Sequence, residues 1–150
     1  MDAKEYLESY AALKMEVRNL EDRIAEVFYA AQLPAMRQSD GSQKTPSRDV
    51  QEKANIRYIE TKDEMQPLID ANKEKMRQIS GLVATLSNPF HREILRIRYM
   101  DTNCWKPLKW ADVAMQLRGN DEECDVLYAK RLHKKAMEEF ASVYAEFCRA

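Results

Sequence analysis

Arg92-Glu93-Ile94-Leu95-Arg96-Ile97-Arg98-Tyr99, Trp110-Ala111-Asp112-Val113-Ala114-Met115-Gln116-Leu117 and Ala129-Lys130-Arg131-Leu132-His133-Lys134-Lys135-Ala136-Met137 follow one another in the last third of the chain, and their reading decides the fold. Each block carries apolar residues at helical spacing: Ile94 and Leu95 in the first, Trp110, Val113, Ala114 and Leu117 in the second, Ala129, Leu132 and Ala136 in the third. The order is that of a support helix followed by a helix-turn-helix. Ala114 is small enough to let two crossing helices approach.

These runs, REILRIRY at 92–99, WADVA at 110–114 and KRLHKKAM at 130–137, resemble the sigma-factor region-four-like helix-turn-helix proteins of Gram-positive phages and prophages, related to the RinA and ArpU late-transcription regulators. The resemblance implies binding of double-stranded DNA and a part in regulating phage-type gene transcription. The chain departs from that pattern between Ala114 and Asp125. There Arg118-Gly119-Asn120-Asp121-Glu122-Glu123-Cys124 lengthens the turn and makes it acidic, which opposes a phosphate backbone wherever it faces one.

With Asp125 as the cap of the last helix, its carboxylate accepts a backbone bond near Tyr128, and Ala129, Leu132, Ala136 and Phe140 turn to the core. Leu127, Lys130, Arg131 and Lys134 then face outward. First-turn residues reach base edges and later cations meet phosphate, so Leu127, Lys130 and Arg131 are the base-reading candidates. Lys134, Lys135, Lys106, Lys109 and Arg118 are the phosphate candidates. Arg92, Arg96 and Arg98 either solvate a face or meet phosphate. Tyr99 is expected beneath the second helix and Trp105 and Trp110 as core or hinge anchors, and the resemblance, which has His at the position of His133, implies a polar contact beside the core for that residue.

Upstream, Tyr6, Tyr10, Leu13, Val17, Leu20, Ile24, Val27 and Ala31 recur at steps of four and three, the seam of a helix that packs along another. A polar connector at 38–45 follows. A second helix opens with Thr45 as cap and Pro46 at its first position, and its stripe runs through Tyr58, Met65, Ile69, Met76, Ile79, Val83 and Leu86. Pro67 is expected to kink or divide it. Ser87 or Asn88 caps the next helix, with Pro89 just inside.

The fold class read from this is all-α: an N-terminal coiled-coil-like helical hairpin over 1–86, then the sigma region-four-like helix-turn-helix over 87–150. The same seam also suits a homodimer, because it requires a partner without naming one. RNA polymerase or another protein is the further partner expected of the N-terminal helices.

Composition agrees with a folded helical chain. Three Gly and five Pro in 150 residues leave few breaks, with 45% hydrophobic and 33% charged residues. The net charge of −1 excludes a nonspecific nucleic-acid coat, so any basic surface must be local, as at Lys130, Arg131, Lys134 and Lys135. No apolar run suits a membrane span and no secretory signal opens the chain. A cytoplasmic location is expected, the host's for a phage-encoded chain.

Three widely spaced cysteines fit reduced thiols. A zinc set of Cys104, Cys124 and His133 lacks the short ligand spacing of structural sites, so neither metal nor cofactor is expected. Without a nucleophile elbow, a Gly-rich phosphate loop or a His-Glu metal motif, an enzyme is not expected either. The alternative to DNA binding is a protein-interaction module, such as an inhibitor of a host nucleic-acid complex, built on a helix-turn-helix scaffold.

Overall fold

The computed structural model describes residues 1–36, 48–118 and 125–150, with the side chains of 33–36 and 118 excepted. Every regular element among them is helical and none is a strand. In order these are α1 (Ala3–Met36), α2 (Arg48–Ala84), α3 (Pro89–Leu95, running on as a wider π-helical turn Arg96–Met100), α4 (Trp110–Arg118) and α5 (Val126–Arg149). The connector at 38–45, the Thr45–Pro46 cap and the acidic turn 119–124 lie outside the described residues.

Local sequence explains several helix ends. Asp2 and Glu5 form a reciprocal box at the start of α1: Asp2 Oδ1 accepts from the Glu5 N–H at 2.8 Å, and Glu5 Oε2 accepts from the Asp2 N–H at 3.1 Å. Asn88 caps α3 by accepting from the Phe90 N–H at 2.9 Å, with Pro89 at the first helical position, where its missing donor costs nothing. Asp125 caps α5 by accepting from the Tyr128 N–H at 2.8 Å. Pro67 does not divide α2, which is continuous across it. The carbonyl deprived of its partner belongs to Asp63, and both residues are exposed, so water can supply the missing donor.

The chain forms two compact units, residues 1–15 with 73–150 and residues 16–72. In the first, Leu7, Ile79, Val83, Leu86, Ile94, Leu95, Ile97, Tyr99, Met100, Val113, Ala114, Ala129, Ala136 and Phe140 make one buried cluster. α5 packs on α3 and α4, and α3 on α4. Fully buried Ala129 and Ala136 let the α5 backbone come close. The π-helical turn closes with the Asp101 N–H donating to the Arg96 carbonyl at 2.9 Å, and Ile97, Tyr99 and Met100 within it are all buried. Lys14 Nζ donates to the Met100 and Thr102 carbonyls at 3.1 and 3.3 Å, satisfying the acceptor at the helix end and a second one in the segment just after it.

In the unit of residues 16–72, Val17, Ala31, Ile69 and Asn72 are the buried residues among those described, while Leu20, Ile24, Val27, Tyr58 and Met65 are half-buried. The Gln51 amide donates to the Ala31 carbonyl at 3.1 Å, and the Phe28 and Tyr58 rings lie 5.3 Å apart. Tyr29, Ile56, Ile59 and Leu68 remain more than half exposed. The seam read from sequence omitted Leu7 and Ala11, which are fully buried, whereas Tyr6 and Tyr10 beside them are only half-buried.

Candidate nucleic-acid interface

Helix α5 has two sides of opposite character. Ala129, Ala136 and Phe140 are buried to 0% exposure, and Leu132 is half-buried beside them. Leu127, Lys130, Arg131, Lys134 and Lys135 are all exposed. At 100° per residue, Leu127, Arg131 and Lys134 stand in one row opposite the buried row, with Lys130 and Lys135 flanking it. Four of the phosphate and base candidates thus share one surface with Leu127.

Lys106 and Lys109 are also exposed, but they belong to the segment that leads into α4. The side chain of Arg118 lies outside the described residues. Lys134 borders a shallow, largely apolar hollow between the start of α1 and α5, lined also by Lys4, His133, Met137 and Ala141.

A cluster beneath α5 fixes how the helix is rotated. Tyr99, 1% exposed, places its phenol oxygen 2.7 Å from His133 Nε2. The Trp110 and His133 rings stand nearly perpendicular with their centres 4.9 Å apart, and the Arg98 guanidinium lies over the Trp110 face, 3.9 Å from its centre. Arg98 also donates to the Leu108 carbonyl, while the Leu108 N–H donates to the Arg98 carbonyl at 2.9 Å. Through these bonds α3, the segment before α4, α4 and α5 are tied at one place.

Electrostatics follow from this packing. Burial, helped by the charges of Arg98 and Lys4, lowers the His133 pKa to about 4. The ring is therefore neutral at neutral pH and can accept the Tyr99 phenol proton. Burial likewise raises the Tyr99 pKa, with Glu8 adding to the effect and Arg98 opposing it, so the phenol keeps that proton.

At the other end of the core, burial of Glu139 opposes its ionisation. The Asn88 N–H, His91 and Ser87 outweigh that and hold its pKa below the usual range. The carboxylate lies 3.4 Å from His91 Nδ1, an ion-pair distance without hydrogen-bond geometry, and accepts from the Asn88 N–H at 3.5 Å.

The arginines of the first sequence block are engaged within the protein. Arg92 donates to the Leu86 carbonyl, Arg96 pairs with both oxygens of Glu93 at 2.7 Å, and Arg98 is held as described. Trp110 fulfils its expected role as an anchor, whereas Trp105 does not and is 54% exposed. Trp105 is not needed for anchorage: its loop is already pinned by the two Arg98–Leu108 bonds and by Thr102, whose hydroxyl donates to the Lys106 carbonyl at 3.3 Å. Sequence reasoning missed Lys14 and the Arg98–Trp110 stack. A cation isolated on an otherwise apolar helical face is the one signal that could have marked Lys14.

Among the described residues no group of three or more His, Cys, Asp or Glu could hold a metal ion. Cys124, a member of the zinc set considered from sequence, lies outside them, and His133 Nε2 faces Tyr99. No helix of the described residues is long and apolar enough to cross a membrane. Comparison of the chain with protein-family models, with curated proteins and with solved structures finds no match.

Proposed function

We propose that the chain is a DNA-binding regulator of phage-type transcription, with α3, α4 and α5 as a sigma region-four-like helix-turn-helix and α5 as its recognition helix. The observation that carries the reading is the exposed row Leu127–Arg131–Lys134 with Lys130 and Lys135, on a capped helix whose opposite side is sealed by Ala129, Ala136 and Phe140. Leu127, Lys130 and Arg131 read bases; Lys134, Lys135, Lys106, Lys109 and Arg118 hold phosphates. The Ala31–Gln51 and Phe28–Tyr58 contacts run in opposite chain directions, which supports an N-terminal helical hairpin. Its exposed Tyr29, Ile56 and Ile59 are the surface on which RNA polymerase or a second copy docks.

The test is a mobility-shift titration of the full chain against duplexes drawn from a random pool. The full chain is required because Leu7, Ile79, Val83 and Leu86 belong to the same core as α5. Arg131→Ala or Lys130→Ala should reduce discrimination by about 1–3 kcal/mol. Lys134→Ala should weaken all duplexes alike and lower the salt slope by about one. Exposed Lys62 is the proper comparison, since Lys14 supports backbone carbonyls. Absence of duplex binding at low salt would leave the protein-interaction reading, which the exposed Val126, Leu127 and Tyr128 also favour.

A further inference from the structure

The first turn of α5 is apolar yet open to water. Val126, Leu127 and Tyr128 are 36%, 56% and 48% exposed, and the next residue, Ala129, is fully buried. Three successive positions span about 200° of a helix. Only a narrow side of this turn therefore meets the core.

Leu127 is the unusual member. It lies opposite the buried row, one turn before Arg131 and two before Lys134, so an apolar side chain heads a row of cations. A leucine left in water forfeits most of its transfer free energy, and helix propensity does not call for it, because arginine and lysine serve nearly as well. The surface that complements such a row must be polyanionic and must also offer an apolar group beside the charges. The DNA major groove does so: phosphates line it, and the C5-methyl of thymine projects into it beside the base edges. Residues in the first turn of a recognition helix are those that reach base edges.

We infer that Leu127 reads the C5-methyl group of a thymine, so that the recognised site carries thymine beneath the first turn of α5 and next to the base contacted by Arg131. This rests on the DNA-binding reading and specifies its substrate. A negatively charged protein with an apolar ridge would fit the same row only if it matched both features by its own fold, whereas every thymine in a duplex supplies them together.

Uracil tests the methyl group alone, since it preserves base pairing and phosphate charge. Full chain is used to select a duplex from a random pool, and each thymine of that duplex is then replaced by uracil in turn, with affinity read at fixed salt. One replacement should weaken binding about fourfold, the effect of one buried methyl. Leu127→Ala should abolish the response at that position, while Lys134→Ala, two turns away and assigned to phosphate, should weaken binding and keep the thymine-to-uracil ratio. Equal affinity for every uracil duplex overturns the inference and leaves DNA binding intact. A response that persists in Leu127→Ala overturns the assignment to this residue, and failure to select or bind any duplex overturns both readings.

Discussion

Residues 1–15 with 73–150 and residues 16–72 both draw on α1 and α2, yet they bury their side chains to different depths. The first unit holds Leu7, Ile94, Leu95, Val113, Ala129 and Phe140 at 0% exposure. In the second, Ile69 is at 1%, Ala31 at 5%, Val17 at 7% and Asn72 at 8%, and several large apolar residues stay in water. Three further helices explain the difference, since α3, α4 and α5 contribute to the same buried cluster as the ends of α1 and α2 that belong to the first unit. Two helices alone cannot enclose each other's apolar stripes. Stability should therefore be concentrated where the proposed recognition helix is anchored, and hydrogen exchange should be slower there than in residues 16–72.

The largest test of this contrast is truncation. A fragment of residues 88–150 loses Leu7, Ile79, Val83 and Leu86, each at or below 4% exposure, from the core that seats α5. The fragment should not melt cooperatively, whereas the full chain should. A fragment with the full chain's melting temperature would show that the first two helices do not contribute to that core.

Single substitutions compare the units directly. Phe140→Ala should cost about 3–5 kcal/mol, the usual range for a fully buried aromatic. Ile24→Asp in the second unit should cost about 1–3 kcal/mol, because Ile24 is half-buried and a carboxylate there keeps access to water. Denaturant titrations of the two variants measure both. If Ile24→Asp proved the more damaging, the ranking of the units would be reversed.

What sequence revealed divides along a similar line. The Asp125 cap, the cap of α3 down to a choice between Ser87 and Asn88, and the buried side of α5 were legible because each depends on residues within a few turns, whereas the contact of His133 with Tyr99, 34 residues away, was expected only from the family resemblance. Leu7 and Ala11 were missed because the four-and-three pattern was started on Tyr6 and Tyr10, one position away, and amphipathic tyrosines fit such a stripe nearly as well. Lys14 reaches Met100 and Thr102 across more than 80 residues. Arg98 resembled any surface arginine until Trp110 was brought over it. Long-range polar bonds have no periodicity, so they leave no trace in the pattern.

A pH titration reads the cluster beneath α5. The folded-state pKa of His133 is about 4, below the ordinary value of 6.5, so between these values the unfolded chain binds more protons. The stability tied to the neutral ring is complete above about pH 6.5 and declines as pH falls toward about 4. Because the ring is only partly buried, a loss of about 1–2 kcal/mol is expected rather than the full linkage value. His133→Gln should flatten this segment of the curve, and an unchanged slope would remove His133 as its origin.

The smallest effect separates two roles of Asp125. Its carboxylate caps α5, and it stands at the start of the turn that carries Leu127, where, on the proposed DNA-binding reading, negative charge would oppose phosphate. Asp125→Ala removes both cap and charge and should cost about 1 kcal/mol, with faster exchange at the Tyr128 amide. Asp125→Asn keeps an oxygen that can accept from Tyr128 and removes only the charge, so stability should change by a few tenths of a kcal/mol at most. DNA affinity in the asparagine variant should rise at low salt, with the gain vanishing at high salt. Because the first turn is exposed, neither change should alter exchange at Ala136 or Phe140. Slowly exchanging core amides that became fast in Asp125→Ala would show that the turn and the core open together, and the contrast between a fixed core and a separately opening first turn of α5 would then fail within the first unit itself.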